Sequence, residues 1–252
     1  MRTLRRLYRL IRLTVQLLVG IVLALRYAHL VEDGIPTEKY RQIKQRWYRK
    51  TCHILGLETQ LKGDIPTAAS LIVSNHISWL DIPLLGSLLP INFLSKGGVR
   101  RWPVVGWLAW KSGTLFIKRG TDGAANQANL EITRHLKAGQ NVLVFPEGTT
   151  TDGTLVRRFH PRLFAAAVDD VAAIQPVGIH YTNSDGEHCH AAAFIDDEPF
   201  TSNLWKILGE PSIHASVHFL PLIQGGPHTH RRAIAEETRL KIVKALNLPV
   251  EH

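Results

Sequence analysis

The residues with the clearest chemical potential lie at positions 74–81, where the sequence is Ser-Asn-His-Ile-Ser-Trp-Leu-Asp. The apolar run Leu71–Ser74 predicts a buried strand, and a helix is predicted to follow the turn. His76 then lies in the turn and Asp81 in the first helical turn, so the carboxylate is within reach of the imidazole. A carboxylate that accepts from one ring nitrogen leaves the other free to take a proton. The pair therefore fits a general base, although such residues also serve as simple caps.

Three later segments bear on the choice between these interpretations. The segment 113–120, Gly-Thr-Leu-Phe-Ile-Lys-Arg-Gly, predicts a strand with two cations at its end, where anionic substrate groups bind in α/β sheets. The segment 145–151, Phe-Pro-Glu-Gly-Thr-Thr-Thr, ends another strand with a carboxylate, a glycine and hydroxyls. A third segment, Ile174–Val177, begins a further strand. No G-x-S-x-G nucleophile elbow is present, so the proton is expected to come from a substrate hydroxyl.

Together and in this order, the four blocks resemble the glycerolipid acyltransferase family. Its N-H-x-x-x-x-D block is matched by Asn75, His76 and Asp81, and its F-P-E-G-T block by residues 145–149. Four ordered blocks are a far more specific signal than any one of them. The G-x-x-F-I-x-R block and the apolar-Pro block are matched by Gly113, Phe116, Ile117, Arg119 and Pro176.

The resemblance implies a role for each matched residue. His76 would deprotonate the acceptor hydroxyl, which then attacks an acyl thioester of coenzyme A or acyl carrier protein, and Asp81 would orient the imidazole. It implies neither a further cofactor nor a metal, since the thioester is a co-substrate. The residues implied to bind substrate are Ser78, Lys96, Phe116, Arg119, Glu147, Gly148 and Thr149.

The acceptor implied first is 1-acyl-sn-glycerol-3-phosphate, which would give phosphatidic acid. The sequence departs from that pattern after the F-P-E-G-T block, where Thr150, Thr151, Asp152 and Gly153 follow in place of an arginine or serine. This version resembles members that acylate lyso-ornithine lipid or another lysolipid, which is the alternative. Two other classes remain open: a lipid hydrolase that uses the pair on water, and a membrane adaptor without activity.

The rest of the chain must supply a scaffold for these segments. Short apolar runs alternate with amphipathic segments, which predicts an α/β fold with a central mixed sheet flanked by helices, the glycerolipid acyltransferase fold. We predict a basic N-terminal segment, 1–55, and a catalytic domain, 56–252. Strands are predicted at 57–62, 71–74, 91–94, 113–117, 141–145, 173–179 and 213–219, and helices at 80–89, 124–138, 161–168 and 231–246.

The positive charge of the chain is confined to its N-terminal segment. Residues 1–50 hold 12 Lys and Arg against three acids, which accounts for the whole net charge of +9. A neutral remainder excludes a basic nucleic-acid-binding core. Helices are predicted from the N-terminus to Tyr27 and from Thr37, as N-cap, to Leu55. In the first helix Arg2, Arg5, Arg9 and Arg12 share one stripe, and Leu4, Leu7, Ile11, Val15 and Leu18 share another.

This segment predicts a membrane anchor. The uncharged run from Leu13 to Leu25 is shorter than the ~20 residues that cross the hydrocarbon core, so the helix either lies in the interface or spans it marginally. Its cations favour an anionic surface on the cytoplasmic side of the inner membrane. Only Cys52 and Cys189 are available for disulfides, and the scattered histidines have no metal-site spacing.

Overall fold

Most of the described helices pack on the two faces of a central sheet and cover it. The fold comes from a computed structural model that describes residues 1–32, 34–97, 104–117, 124–168, 172–195, 198–226 and 230–250. The side chains of Lys96, Val105, Ile117, Ala124 and Ala125 are not described. The α-helices are α1 (Arg2–Tyr27), α2 (Glu38–Leu55), α3 (Asp81–Leu88), α4 (Val105–Lys111), α5 (Ala124–Lys137), α6 (Ala165–Val168), α7 (Phe200–Gly209) and α8 (Arg231–Ala245).

Nine strands are assigned within the described residues. Two of them, β1 (Val31–Glu32) and β2 (Ile35–Pro36), form a small hairpin between α1 and α2. The other seven form one sheet in the order β3-β9-β8-β4-β7-β5-β6. Their ranges are β3 (Leu57–Lys62), β4 (Leu71–Ser74), β5 (Ile91–Lys96), β6 (Leu115–Ile117), β7 (Asn141–Val144), β8 (Ile174–Thr182) and β9 (Ile213–Phe219).

The sheet is mixed, which confirms the predicted fold class. Every adjacent pair is parallel except β8 and β9, which are antiparallel. Alternate residues of the central strands enter two apolar cores, so that Ile72 and Leu143 face one layer of helices while Val73 and Val144 face the other. The first layer includes α1, α2, α3 and α7, and the second includes α5 and α8. The carboxyl ends of β4 and β7 meet at one edge between these layers.

Helix α1 packs on α2 through a narrow face of small and polar residues. Its buried positions are Leu13, Gln16, Gly20 and Ala24, spaced three and four residues apart. The Gln16 amide donates to the Trp47 carbonyl at 3.0 Å, and the Trp47 indole donates to the Gln16 carbonyl at 3.0 Å. A Cβ at Gly20 would lie 3.0 Å from the same indole, so a larger residue would push the helices apart. This face fixes α1 against the rest of the protein.

Part of the arginine stripe of α1 is engaged with the rest of the protein. Arg5 donates to the Gly209 carbonyl, Arg9 donates to the Glu210 and Pro211 carbonyls at 2.6 and 3.0 Å, and Arg2 pairs with Glu210 at 3.1 Å. The last carbonyls of a helix carry partial negative charge; the Gly209 carbonyl ends α7, and those of Glu210 and Pro211 follow it directly. Arg5 and Arg9 therefore join α1 to the end of α7, whereas Arg2 is 59% exposed and Arg12 contacts Tyr8 of its own helix.

The predicted apolar stripe of α1 is the exposed one. Leu4, Ile11 and Leu18 are 73%, 66% and 57% exposed. The stripe extends further than predicted, to Val22 and Leu25. The segment Arg2–Leu30 is also long and apolar enough to cross a membrane by length and composition alone, with a mean hydropathy of 1.7 in its most apolar window.

A buried lysine of α2 connects this helix to strand β5 and to the residue that follows α4. The Lys44 ammonium donates to the Ser112 carbonyl at 2.8 Å and to the Asn92 amide oxygen at 3.4 Å. Burial, with a smaller contribution from nearby Arg41, lowers the pKa of Lys44 to about 7. No carboxylate among the described residues forms an ion pair with it. This ammonium is consequently a titratable group inside the fold.

Replacing Lys44 with Met is expected to remove a pH dependence of stability. Because the pKa is about 7 in the folded state and about 10.4 in an unfolded chain, the folded protein binds fewer protons between these values. Its free energy of unfolding should therefore rise with pH there, by up to ~1.4 kcal/mol per unit, relative to Lys44→Met. Urea unfolding in detergent micelles at pH 7, 8 and 9 measures the slope. Lys50→Met, at an exposed position of the same helix, is the control, and equal slopes in all three proteins would contradict the prediction.

Candidate active site

The structure brings His76 and Asp81 together. Strand β4 ends at Ser74, the turn carries His76, and α3 begins at Asp81. His76 Nδ1 lies 2.7 Å from Asp81 Oδ2, and the aspartate side chain is fully buried while the imidazole is 19% exposed. With its proton on Nδ1, the ring donates to the carboxylate and keeps a lone pair on Nε2. The geometry is that of an oriented general base.

The Asp81 carboxylate is held by three donors besides the imidazole. Oδ2 also accepts from the backbone N–H groups of Ile77 and Ser78, at 2.8 and 3.0 Å. Oδ1 accepts from the Tyr181 hydroxyl at 2.7 Å. These four donors satisfy the hydrogen-bonding capacity of a carboxylate that is completely buried.

Tyr181 is a site residue that the sequence analysis missed. The strand was predicted to end at Ile179, whereas β8 continues to Thr182. Half-buried His180 interrupts the apolar run, and Tyr181 beyond it is buried. The alternation of apolar and polar residues from Ile179 to Thr182 was the available signal in the sequence. It does not indicate which distant residue the Tyr181 hydroxyl contacts.

The imidazole is also fixed from the neighbouring strand. Phe145 follows β7 and stacks on the His76 ring with centroids 3.9 Å apart and planes 10° from parallel. On the other flank of the turn, Asn75 exchanges two hydrogen bonds with the Ile179 backbone, at 2.8 and 3.0 Å. These contacts leave the ring little freedom to rotate.

Glu147 lies beneath the turn, and its carboxylate contacts backbone donors. Oε1 accepts from the His76 N–H at 2.7 Å and Oε2 from the Arg157 N–H at 2.9 Å. Burial raises the pKa of Glu147 to about 7, although both backbone donors act in the opposite direction. The resemblance implied that this carboxylate holds the acceptor. In the structure both of its oxygens accept from the protein's own backbone, and its binding of the acceptor stays a prediction.

The residues after Glu147 wrap around the same turn. Gly148 has φ of +76°, a conformation in which side chains are strained, and Thr149 beside it is exposed. Thr151 N–H donates to the His76 carbonyl at 2.9 Å. Gly153 has φ of +90°, and a Cβ there would lie 3.0 Å from Ile77. The segment 150–153, where the sequence departs from the phosphatidate-forming pattern, is thus part of the wall of the catalytic turn.

The remaining predicted substrate residues are spread more widely. Ser78 is buried, and its hydroxyl has no partner among the described residues. Phe116 lies on β6, three strands from β4 and therefore about 14 Å away across the sheet. It lines a separate cavity of about 460 Å³ with Trp110 and Lys111, and its role in substrate binding stays a prediction.

Two further predicted substrate residues receive little or no structural description. Lys96 ends β5, and only its backbone is described. Arg119 lies outside the described residues. No group of three His, Cys, Asp or Glu suited to a metal is found in the part of the chain that the structure describes.

Comparison with known proteins identifies the family. The model of the family described as Acyltransferase matches residues 57–180, which include the whole catalytic turn. A lyso-ornithine lipid O-acyltransferase from Pseudomonas aeruginosa is 42% identical over 223 residues, covering 86% of this chain and 84% of that protein. The chain belongs to the acyltransferase family. It is therefore an enzyme, and the adaptor interpretation is withdrawn.

Other relatives and one solved structure extend this comparison. A 1-acyl-sn-glycerol-3-phosphate acyltransferase from Neisseria gonorrhoeae is 28% identical, covering 73% of this acyltransferase and 71% of its own length. A lyso-ornithine lipid O-acyltransferase from Rhizobium meliloti is 29% identical, with coverages of 92% and 84%. The crystal structure of the 1-acyl-sn-glycerophosphate (LPA) acyltransferase PlsC from Thermotoga maritima aligns over 100% of both chains with a TM-score of 0.67 and 21% identity. The fold of the acyltransferase is accordingly that of PlsC.

Replacing Glu147 with Gln is expected to loosen the catalytic turn. Gln keeps one acceptor oxygen but turns an NH₂ group toward the second backbone N–H, so one buried donor loses its partner. We expect the free energy of unfolding to fall by about 1–3 kcal/mol and kcat to fall by up to ~100-fold, because small misplacements of a base are costly. Denaturant unfolding and steady-state kinetics measure both.

Glu237→Gln is the matched control for this change. Glu237 pairs with Lys241 on α8 at 2.9 Å, and the two side chains are 51% and 39% exposed, so its replacement should leave stability and kcat nearly unchanged. A Glu147→Gln protein as active and as stable as this control would show that the backbone contacts of Glu147 have no role.

Proposed function

We propose that this acyltransferase transfers a fatty acyl group from a thioester to the free hydroxyl of a lysolipid, with His76 as the general base. The observation that carries the proposal is the 2.7 Å contact between His76 Nδ1 and the fully buried Asp81. It leaves Nε2 as the nitrogen that can accept a proton from a substrate.

The proposed reaction needs only this pair and the two substrates. Nε2 of His76 takes the acceptor's hydroxyl proton as the oxygen attacks the thioester carbonyl carbon. The tetrahedral intermediate then collapses, the C–S bond breaks, and the imidazolium returns the proton to the thiolate that leaves. Asp81 stays ionised throughout and stabilises the imidazolium. The products are an ester and a free thiol, carried by coenzyme A or by acyl carrier protein.

For the acceptor we propose lyso-ornithine lipid first and 1-acyl-sn-glycerol-3-phosphate second. The order reverses that suggested by the motif resemblance, and the 42% identical relative named for lyso-ornithine lipid supports the reversal. The segment 150–153 supports it too, since it departs from the phosphatidate-forming pattern and borders the turn. We assign Arg119, by its place in the motif, to the acceptor's acidic group.

Incubating the purified protein with a labelled acyl thioester and a panel of acceptors tests this function. We expect transfer to lyso-ornithine lipid at the highest kcat/KM, lower transfer to 1-acyl-sn-glycerol-3-phosphate, and a loss of roughly 10²- to 10⁴-fold in His76→Ala. Acyl-coenzyme A and acyl carrier protein thioesters are compared as donors.

The controls separate this function from its rivals. His53→Ala, at an exposed position of α2, should be fully active. Free fatty acid released without acceptor would indicate a hydrolase instead. A folded His76→Ala protein that keeps more than about a tenth of the activity would disprove the assignment of the base, and a higher kcat/KM for 1-acyl-sn-glycerol-3-phosphate would restore that acceptor to first place.

We further propose that α1 holds the enzyme in the interface of an anionic bilayer, on the cytoplasmic face of the inner membrane. Its exposed apolar stripe faces away from α2 and α7, whereas its opposite face is bonded to them. A spanning helix would carry residues 13–25 into hydrocarbon and break the two hydrogen bonds between Gln16 and Trp47 of α2. In an interfacial position the apolar stripe contacts lipid, and the opposite face keeps its contacts with the rest of the protein.

Replacing Ile11, Val15 and Leu18 together with Gln is expected to weaken membrane binding. Each is more than half exposed, and burying three such side chains in lipid is worth several kcal/mol, so the partition coefficient should fall at least ~100-fold. Flotation with phosphatidylglycerol-containing vesicles measures it. Leu130, Leu222 and Leu240, which are exposed elsewhere, provide a matched triple Gln control. Equal flotation of both triple variants would contradict the proposed orientation.

A further inference from the structure

Strand β8 contacts the catalytic turn at two points. The Asn75 side chain bonds both backbone groups of Ile179, and the Tyr181 hydroxyl bonds Asp81. Residues 179 and 181 lie on the same face of the strand, because side chains alternate with a period of two. Both residues belong to the apolar core that the turn covers. The turn is consequently held in register with β8 on either side of His76.

The two oxygens of Asp81 have unequal surroundings. Oδ2 receives the imidazole and two backbone N–H groups, whereas Oδ1 receives only the Tyr181 hydroxyl among the described residues. The carboxylate is fully buried, so water cannot replace a lost donor at Oδ1. Burial and the nearby carboxylate raise the pKa of Tyr181 well above its ordinary value, so the hydroxyl keeps its proton and donates throughout the working range.

We propose that Tyr181 is a positioning residue that sets the basicity of His76 through Asp81, an inference that rests on the proposed function. Donation from the hydroxyl fixes the plane of the carboxylate and draws negative charge toward Oδ1. The charge that stabilises the imidazolium from Oδ2 is then smaller than that of a free carboxylate. Tyr181 therefore limits how strongly Asp81 stabilises the imidazolium form of His76.

Other titratable groups lie near Tyr181 or Asp81, and their effects must be separated from this one. Cys52 of α2 and Cys189, after β8, approach Tyr181, and burial raises the pKa of each thiol, to about 12 for Cys52. Both thiols stay neutral in the relevant range. Glu147, with a pKa of about 7, interacts with Asp81 across the turn and titrates where a histidine would. A test must observe His76 itself in addition to the rate.

The experiment compares the full-length enzyme with its Tyr181→Phe variant in micelles containing lysolipid. We expect the acid limb of the pH profile of kcat/KM to move up by ~0.5–1 unit, kcat at neutral pH to fall about tenfold, and both KM values to change less than twofold. NMR titration of ring-labelled histidine, with the His76 signal assigned by its loss in His76→Gln, should show the same upward shift.

The matched control is Tyr40→Phe, which removes another buried hydroxyl. Tyr40 is 2% exposed, and its hydroxyl donates to the Lys111 carbonyl, away from Asp81. This variant should leave the acid limb and the His76 titration unmoved. A purely structural role for Tyr181 would lower kcat equally at every pH, without a shift.

A second variant tests the same inference if Tyr181→Phe fails to fold. Replacing Tyr181 with 3,5-difluorotyrosine keeps the hydroxyl and makes it a stronger donor, so the His76 titration should move down. The inference would be overturned if the acid limb of the kcat/KM profile stayed in place in Tyr181→Phe. It would also be overturned if the His76 titration moved in the same direction in Tyr181→Phe and in the difluorotyrosine protein. If His76→Ala were active, the proposed function would fail instead, so the two failures are distinguishable.

Discussion

The active site depends on the burial of one charge, the Asp81 carboxylate. A carboxylate with no exposure is stable as an anion only where donors surround it, and here four do so. Two of these donors come from the turn's own backbone, one from the catalytic imidazole and one from β8. The start of α3, the shape of the turn and the position of β8 are therefore mutually dependent, because moving any of them leaves the buried charge without a partner.

Helix α7 links that turn to the N-terminal helix. At one end its carbonyls receive the arginines of α1, and nearer its start Asn203 accepts from the Trp79 indole at 2.9 Å. Asn203 also donates to the Ala193 carbonyl at 2.7 Å, so it is anchored on both sides. The apolar stripe of α1 and the catalytic turn thus belong to one packed unit. This arrangement is consistent with the proposed position of α1 in the membrane interface.

Local sequence patterns predicted the elements with clear periodicity. The ranges 57–62, 71–74 and 213–219 agree with β3, β4 and β9, since burial on one or both faces gives a strand a simple pattern. Helices α4 and α7 were missed for identifiable reasons. Helix α4 has seven residues, fewer than two full turns, and α7 places polar Asn203 at a buried position. Helix α4 is too short to show an apolar stripe, whereas Phe200, Leu204, Ile207 and Leu208 do recur at helical spacing in α7, with Asn203 among them.

The sequence by itself determined the pairing of His76 with Asp81, because the two residues are five positions apart, in the turn after β4 and at the start of α3. It also determined which stripe of α1 is apolar. Only the tertiary structure decided that Tyr181, 100 residues from Asp81, completes the carboxylate's shell, that the arginines of α1 meet α7, and that Phe116 lies on an edge strand. These contacts depend on strand order and on competition for burial across the whole chain, which local periodicity does not encode.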